Sequence, residues 1–589
     1  MKTRSMSLSA LFALTLGLAL VATPAGADHT NPNTPLAPTE GAPASMTTFG
    51  EGTWEFIDNF PVNPGTDLEF FRAGGDIFVA SGTLGQAPAD HVGQRIVRLT
   101  ANGTVAPEWR ADHGSAACLI GTTGVTGLQH DSQVTGYVDP ELLIDTTDAT
   151  GRCHDTGAGG GGLEIIDISG IEDPSFEPRE IHLTRQAGFS HTHTVDAKRP
   201  WIIYNSSSDF SGRPWIDVVD IRSCLGLEGM TLAQKRDACR PIVHRIPFQP
   251  DWSRQRNWFD GELRPGSEAA CHDITSVGNR LYCAALNATL IFDVGKLTVP
   301  KSGAVRGTPL ACTLTDGTDT TAKVTDCSGA GPGSPQAEGW TFLGTFNHPG
   351  RDCLPPPGNN QSCNTNLFVP PDEGVSVSHE ADPTHDGKWM LVTDERGGGV
   401  VPPGASCSPG VDNPEGNGGA HVFDIRNPSN ISYALTPSGD KAVFISDIVN
   451  PAATFCDIHV IEHIPGEQRL IVAYYSSGTK IVDYFIDKSG RWTFRETASL
   501  MLPGANTWAV EDFLIRKNQD GTKTYFFVAS DIQRGIDVFS WTGPPNPTGS
   551  KGPRVGRSAR AADAGLLVLG LIALPLAAHL GRRRRLGRS

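Results

Sequence analysis

Short apolar runs that end in an acidic residue recur along most of the chain. Six of them are "LEIIDIS", "WIDVVDI", "TLIFDVG", "AHVFDIR", "TKIVDYF" and "RGIDVFS", whose acids are Asp167, Asp220, Asp293, Asp424, Asp483 and Asp537. A second apolar run precedes each of them, for instance "PWIIYNSSS" before "WIDVVDI". These runs are rich in Val, Ile, Phe and Tyr and are bounded by Gly, Asn and Asp, which is typical of strands joined by hairpins. The terminal acids are expected to cap turns.

A third strand, upstream of these two, carries the histidines of the repeat. It reads "LQHDS", "SHTHTVD", "ACHDITS", "VSHEADP" and "CDIHVIE" in five copies. A fourth strand, such as "PIVHRIPF" or "WTFRETA", follows the Asp-ended one. Four short antiparallel strands repeated around a ring form a β-propeller, and the copies number seven. The pattern therefore predicts an all-β, seven-bladed β-propeller of four-stranded blades over residues 50–543.

The last copy has only three strands and stops near residue 543. The isolated strand "TWEFIDNFPV" at residues 53–62 precedes the first complete copy. Because a closed ring leaves no open sheet edge, we expect this N-terminal strand to supply the missing outer strand of the last blade.

Changes in composition mark the expected loops and linkers. Insertions at about 301–373 and 398–419, rich in Gly, Pro and Cys, are expected to form long loops on a face of the ring. Residues 28–49 and 544–561 are rich in Thr, Pro, Ala and Gly, and are expected to be spacers.

Both ends of the chain carry apolar segments. Residues 1–27 begin with the basic residues Lys2 and Arg4, continue with an apolar run and end in small residues typical of a cleavage site. This pattern predicts a signal peptide. Residues 562–580 are about long enough to cross a bilayer as a helix, and a basic tail follows at 581–589. Arginine-rich flanks favour the cytoplasmic side, which predicts a single-pass cell-membrane protein with an extracellular N-terminal ectodomain. The alternative, a buried helix ending the domain, would place four consecutive arginines against a core.

Charge narrows the range of partners. The formal net charge of the whole chain is −16. The predicted signal peptide contributes +2 and residues 551–589 contribute +8, so the residues between them carry a net charge of −26. So acidic an ectodomain disfavours nucleic acid and anionic lipid as ligands. The expected partners are the membrane, through the C-terminal helix, and an extracellular protein, glycan or small molecule.

The twelve cysteines all lie between Cys118 and Cys456. An even number in an exported chain is typical of disulfide bonds, and the absence of a Cys-x-x-Cys motif gives a zinc knuckle no support. Neighbours in sequence are the natural candidates, namely Cys224 with Cys239, Cys271 with Cys283, Cys312 with Cys327, and Cys353 with Cys363.

The histidines have two interpretations. The innermost strand of a blade lines the central channel, so imidazoles from several blades could converge on a transition metal such as Zn, Cu or Fe, with nearby carboxylates orienting their ring N–H groups. Alternatively, each histidine is a joint between blades, bonded to a backbone carbonyl or a neighbouring carboxylate. We align His193, and not His191, with the single histidines of the other copies. The metal candidates are His130, His191, His193, His272, His379 and His459, and the carboxylates are Asp131, Asp273, Glu380 and Glu511.

Two stretches, "ACHDITSVGNRLYCAALNATLIFDV" and "LEIIDISGIEDPS", resemble the LVIVD repeat of bacterial and archaeal surface proteins. The resemblance extends over roughly residues 65–543 and implies a propeller, with no reaction attached to it. The histidines on several inner strands are also remotely similar to those of the methanethiol oxidase (selenium-binding) family and of the carotenoid oxygenases. No catalytic residue is carried over from either family.

These observations leave two functions. The first is a cell-surface-anchored, LVIVD-type β-propeller that acts as an extracellular binding module and performs no chemistry. The alternative is a metal-dependent propeller enzyme, an oxidoreductase or hydrolase, with a histidine-lined site in its central channel.

Overall fold

A computed structural model describes residues 45–61, 65–83, 94–107, 131–147, 162–185, 190–206, 215–248, 271–285, 288–299, 313–315, 323–326, 337–348, 375, 377–395, 418–450 and 457–546. The first strands are β1 Thr47–Gly50, β2 Thr53–Phe60, β3 Gly65–Ala73, β4 Asp76–Thr83, β5 Arg95–Leu99, β6 Ser132–Val134, β7 Leu142–Thr147, β8 Gly162–Asp167, β9 Arg179–Arg185, β10 His193–Val195, β11 Ile202–Asn205 and β12 Trp215–Asp220. A 3-10 turn at Arg222–Cys224 and the helix α1 at Leu232–Ala238 follow.

The chain continues with β13 Ile242–Pro247, β14 Asp273–Val277, β15 Arg280–Ala284, β16 Ala288–Asp293, β17 Thr313–Thr315, β18 Lys323–Asp326, β19 Thr341–Asn347, β20 Ser378–Pro383, β21 Trp389–Asp394 and β22 Ala420–Asp424. After a 3-10 turn at Pro428–Asn430 come β23 Ser432–Tyr433, β24 Val443–Phe444, β25 Ile461–His463, β26 Arg469–Ala473, β27 Thr479–Ile486, β28 Trp492–Met501, β29 Thr507–Lys517, β30 Lys523–Asp531 and β31 Gly535–Gly543.

The strands form seven sheets, which are the blades of a propeller. Blade 1 contains β3–β5, blade 2 β6–β9, blade 3 β10–β13, and blade 4 β14–β16 with β19. Blade 5 contains β20–β24, blade 6 β25–β28, and blade 7 β29–β31 with β2. The predicted all-β, seven-bladed propeller is confirmed.

Contacts between inner strands close the ring. Strand β3 contacts β6 and β29, β10 contacts β6 and β14, β14 contacts β20, and β25 and β26 contact β29. Blades 5 and 6 are joined where the Glu380 carboxylate accepts the Ile461 N–H at 2.8 Å. The apolar clusters likewise combine side chains of adjacent blades, so each blade completes the core of its neighbour.

The predicted closure by the N-terminal strand is confirmed. Strand β2 pairs antiparallel with β31 from Thr53–Thr542 to Phe60–Ile536. Its Trp54 and Phe60 side chains are buried in the cluster shared by blades 6, 7 and 1. The N-terminal and C-terminal strands of the propeller therefore belong to the same blade.

Three strand predictions need correction. The expected spacer 28–49 includes the start of β1, which pairs with β28 as a fifth strand of blade 6. Strands β17 and β18 lie inside the expected loop 301–373, and β18 extends blade 2 parallel to β9. In the described residues blade 1 has three strands, since only a Leu99–Val105 bridge replaces its fourth.

The acids that end the repeated strands cap turns in four blades, as expected. The carboxylates of Asp167, Asp220, Asp293 and Asp424 accept the backbone N–H two residues later at 3.2, 3.0, 2.8 and 3.1 Å. In blades 6 and 7 the equivalent acids pair with arginines instead, Asp483 with Arg469 at 2.7 Å and Asp537 with Arg534 at 2.7 Å.

The predicted signal peptide 1–27 and membrane segment 562–580 lie outside the described residues. Within the described ranges, no helix combines the length and the apolar character needed to cross a membrane.

Candidate functional site: a cluster of imidazoles on the inner strands

Four imidazole rings lie in a row, one from each of blades 3 to 6. The ring centroids are 4.3 Å apart between His191 and His272, 4.6 Å between His272 and His379, and 4.3 Å between His379 and His459. The Nε2 atoms of His191 and His272 are 3.0 Å apart, and all four rings are buried. We call these four rings together with the Glu395 carboxylate the imidazole cluster.

The fold places these rings together because three of them occupy the same position in their blades. In each case the backbone N–H of the histidine donates to a backbone carbonyl at the end of the second strand of the blade. The pairs are His191 with Ser206 at 3.2 Å, His272 with Ala284 at 2.7 Å, and His459 with Ala473 at 3.1 Å. Blades 3, 4 and 6 therefore each present one imidazole at the beginning of the inner strand.

Hydroxyl groups of a neighbouring blade fix the carbonyls of the same histidines. The donors are Thr146 to His191 at 2.7 Å, Thr192 to His272 at 2.7 Å, and Thr393 to His459 at 3.2 Å. The backbone under the cluster is thus held from two blades, which limits the freedom of the rings.

Glu395 brings a carboxylate to the cluster. It directly follows β21, and its Oε2 lies 3.5 Å from His379 Nε2 while its Oε1 lies 3.8 Å from His459 Nε2. One ligand atom each from His272, His379 and Glu395 fall within 4.8 Å of one another. These three side chains are the best-placed metal ligands among the described residues.

The structure corrects the alignment of the doubled histidines. His191, and not His193, stands beside His272, because the backbone N–H groups of His191 and His272 make equivalent bonds to the second strands of their blades. His193 instead faces blade 2, where its Nδ1 lies 3.2 Å from Asp131 Oδ2. His130 lies outside the described residues.

Two of the predicted carboxylates join blades. Asp131 accepts the His193 N–H at 2.7 Å, and Glu380 accepts the Ile461 N–H at 2.8 Å. Both N–H donors lie two residues after a histidine of the imidazole cluster. The same carboxylate-to-backbone contact is therefore made at equivalent places in two pairs of blades. The interblade joint that we considered for the histidines is present as well, at His193 beside Asp131 of blade 2 and at His459 beside the Trp508 carbonyl of blade 7. The other two predicted carboxylates, Asp273 and Glu511, are buried on β14 and β29.

Trp508 and Tyr475 border the cluster at the His459 end. The rings of Trp508 and Tyr475 lie 4.3 and 5.2 Å from the His459 ring. The Tyr475 hydroxyl donates to Glu395 Oε1. Tyr475 has a φ of 34°, in the left-handed region, and a bulky residue held there costs about 1–3 kcal/mol.

The hydrogen bond of His459 determines which of its nitrogens faces Glu395. Its Nδ1 lies 2.8 Å from the Trp508 carbonyl oxygen, which can only accept, so Nδ1 carries a proton. In the neutral ring Nε2 is then an acceptor, and it faces a carboxylate oxygen at 3.8 Å. In this tautomer Nε2 is the ring nitrogen that can bind a metal ion. A ring N–H bonded to a backbone carbonyl is also the usual support of a metal-ligating histidine.

The donor atoms of the cluster, imidazole nitrogens and a carboxylate oxygen, are of the types that bind transition metals. Imidazole is a ligand for Zn, Cu, Fe and Ni, and two histidines with one carboxylate also hold non-haem iron. Two donor atoms each about 2.1 Å from one ion are at most about 4.2 Å apart. The 3.5 Å between His379 and Glu395 lies inside this limit, and small rotations of the rings would bring in His272.

Other buried histidines have different surroundings. His348 Nε2 lies 2.9 Å from the Thr289 hydroxyl, and burial, reinforced by His421, lowers the pKa of His348 to about 3. Burial, reinforced by His385, also lowers the pKa of His463 well below its ordinary value. These imidazoles are neutral packing groups at physiological pH.

Sequence reasoning missed Glu395, Tyr475 and Trp508. A usable signal existed for the first two, because in an antiparallel hairpin the residues after the second strand return to the end where the inner strand begins. Glu395 follows β21 and Tyr475 lies two residues beyond β26. Trp508 belongs to β29, whose copy of the repeat has no histidine at this place, so the pattern gave no reason to choose it.

Two predicted disulfides are present, Cys224–Cys239 and Cys271–Cys283. The second joins the residue directly before His272 to β15, so it fixes the backbone at one cluster imidazole. The cysteines of the other two predicted pairs, Cys312, Cys327, Cys353 and Cys363, lie outside the described residues.

No family model matches the chain, and no curated protein matches it in sequence. The resemblance to the LVIVD repeat therefore stays a prediction.

Solved structures similar to the chain include the periplasmic gluconolactonase PpgL of Pseudomonas aeruginosa, with 14% identity, coverage of 82% of this chain and 98% of that one, and a TM-score of 0.37. Another is the β-propeller domain of Cps50 (Swd1) from Myceliophteria thermophila, with 10% identity, coverage of 83% and 99%, and a TM-score of 0.39. Sqt1 of Saccharomyces cerevisiae has 6% identity, coverage of 87% and 100%, and a TM-score of 0.37. Such low identities say nothing about activity, and the fold assignment stands on the sheets and their closure.

Proposed function

We propose that the protein binds one transition-metal ion in the imidazole cluster and is a metal-dependent enzyme acting on a small molecule. The observation that carries this proposal is the convergence of His272, His379 and Glu395, which are buried and whose donor atoms lie within 4.8 Å of one another. His191 and His459 stand on either side as further donors.

Each residue has a distinct part in this proposal. His272, His379 and Glu395 would hold the ion, and the Trp508 carbonyl orients the His459 ring through its Nδ1–H. Burial keeps bulk water from the donors, which strengthens their electrostatic interactions. When bound, the ion supplies a Lewis acid or, if it is iron or copper, a redox centre.

Elemental analysis of the purified full-length protein tests this function. We expect about one transition-metal ion per chain, and zinc would favour a hydrolase while iron or copper would favour an oxidoreductase. His272→Ala, His379→Ala and Glu395→Ala should each lower the bound metal by at least about tenfold, since each removes a ligand.

Two matched variants control for the loss of a buried imidazole. His348→Ala removes a buried ring between blades 4 and 5 that is outside the cluster, and His193→Ala removes the ring that faces Asp131. Both should keep the metal. A parent protein without stoichiometric metal would refute the proposal. Loss of metal in His193→Ala alone would show that the metal site lies nearer blade 2 than proposed.

Anchoring at the cell membrane is a separate proposal, supported by the apolar stretch of residues 562–580 and the basic tail that follows it. The Asn546 N–H donates to Glu467 at 3.3 Å and the Pro544 carbonyl accepts from Arg469 at 3.0 Å. These two contacts lie at the turn that follows β25, whereas His459 precedes β25. They are therefore at the opposite end of that strand from His459. Anchored through residues 562–580, the chain would leave the ring at the end away from the cluster. Recovery of the protein in the soluble fraction of cells would contradict anchoring.

A further inference from the structure

The contact of Tyr475 with Glu395 carries an inference that rests on the proposed metal site and deepens it. The phenol donates its hydrogen to Glu395 Oε1, while Oε2 of the same carboxylate faces His379 Nε2 at 3.5 Å. One oxygen of Glu395 is thus engaged by a hydroxyl, and the other points to the candidate ligands.

The backbone of Tyr475 is held in a conformation that a bulky side chain rarely adopts. Its φ is 34°. Its carbonyl accepts the N–H of Gly478 at 2.9 Å and the N–H of Thr507 at 3.0 Å, so a bond to blade 7 fixes this conformation. Gly or Asn would meet the same φ with less strain. The backbone alone therefore does not explain a tyrosine here, whereas the hydroxyl contact does.

The ring itself is enclosed by the cluster. It lies 5.2 Å from the His459 ring and 6.1 Å from the Trp508 ring, and both contacts are edge-to-face. The phenol therefore has its direction set by aromatic packing and its backbone set by the interblade bond. Such double restraint suits a group that must hold a partner in one geometry.

We infer that Tyr475 is a positioning residue that holds Glu395 so that only its Oε2 is available to the metal ion. The carboxylate would then bind through one oxygen, and the remaining positions around the ion would stay open to a small molecule. Removing the hydroxyl frees Oε1 to rotate toward the ion as well, which changes the number of protein donors.

Titration of the metal-free, full-length protein with Co²⁺ tests this role, because the visible absorption of bound Co²⁺ reports its coordination geometry. In Tyr475→Phe, which keeps the ring, we expect an altered Co²⁺ spectrum and an affinity lower by about 10- to 100-fold. Tyr484→Phe is the matched control, since it removes a buried phenol hydroxyl from the same blade at a place outside the cluster. It should leave both the spectrum and the affinity unchanged.

A second variant keeps the inference testable if Tyr475→Phe is unstable. Tyr475→Asn also lacks the phenol, and asparagine accepts positive φ readily, so it should show the same spectral change. Co²⁺ binding by the parent with an unchanged spectrum and affinity in Tyr475→Phe or Tyr475→Asn would overturn the positioning role alone. Absence of Co²⁺ binding by the parent would overturn the metal site, and this inference with it.

Discussion

Two groups of buried polar residues in this propeller differ in how their charges are balanced. The closure cluster consists of Asn59, Asp531, Arg534 and Asp537 at the joint between β2 and blade 7. Arg534 binds Asp537 through two nitrogens at 2.7 and 2.9 Å, and Asn59 donates to the same carboxylate at 2.8 Å. In the imidazole cluster the Glu395 carboxylate lies beside the rings of His379 and His459 and accepts the Tyr475 hydroxyl.

The comparison separates stability from function. A buried ion pair that receives further hydrogen bonds balances its own desolvation, and breaking it is costly. The closure cluster meets this description and joins the two ends of the ring sequence. The imidazole cluster instead brings four buried imidazoles of blades 3 to 6 to one carboxylate, and these are donors of the kind that bind transition metals. Three experiments test the role of the closure cluster and its contrast with the imidazole cluster.

The largest effect is expected from removing residues 50–62, which contain β2. Burial of Trp54 and Phe60 is lost, and each such truncation costs about 3–5 kcal/mol. We expect the variant to lose cooperative thermal unfolding, measured by circular dichroism. Removing residues 28–44, which precede the described part of the chain, is the control and should not change the melting temperature. An unchanged melting curve after removal of 50–62 would contradict closure by β2.

A smaller effect is expected from one matched pair of carboxylate-to-amide changes. Asp537→Asn removes the carboxylate that binds two nitrogens of the buried Arg534 and should lower the free energy of unfolding by about 3 kcal/mol. Glu395→Gln should cost about 1 kcal/mol in the metal-free protein, because the hydrogen bond from Tyr475 is weakened. Chemical denaturation of both variants measures the difference. Equal losses would remove the distinction between the two clusters.

The smallest effect concerns pH and the closure cluster. Burial, reinforced by Asp537, raises the pKa of Asp531 from 3.8 to about 7. A carboxyl group with a raised pKa binds its proton more tightly in the folded state, so its contribution is complete below pH 3.8 and is lost as the pH rises through 7. We expect the free energy of unfolding to be about 1 kcal/mol higher at pH 6 than at pH 8 from this group.

Asp531→Asn checks the source of this dependence. The amide oxygen can still accept backbone N–H groups such as that of Asn506, which donates to Asp531 at 2.7 Å, but it does not titrate. The difference between pH 6 and pH 8 should shrink by about 1 kcal/mol in the variant. An identical pH dependence in both proteins would assign it to other groups.

The sequence alone determined the architecture of this protein. Apolar alternation and repeated Asp-ended strands predicted seven blades, the missing strand of the last copy predicted closure by residues 53–62, and cysteine spacing predicted Cys224–Cys239 and Cys271–Cys283. These features were predictable because each follows from local pattern: side chains alternate along a strand, and a ring must pair its last edge.

Only the tertiary structure decided which polar residues meet. His191 stands in the cluster in place of His193, because His191 precedes β10 and lies outside the regular alternation of the strand, whereas His193 begins β10 and faces Asp131 of blade 2. Glu395, Tyr475 and Trp508 come from second strands and from blade 7, far from the histidine motifs in sequence. Contacts between blades depend on the packing of the whole ring, and no local pattern in the chain records them.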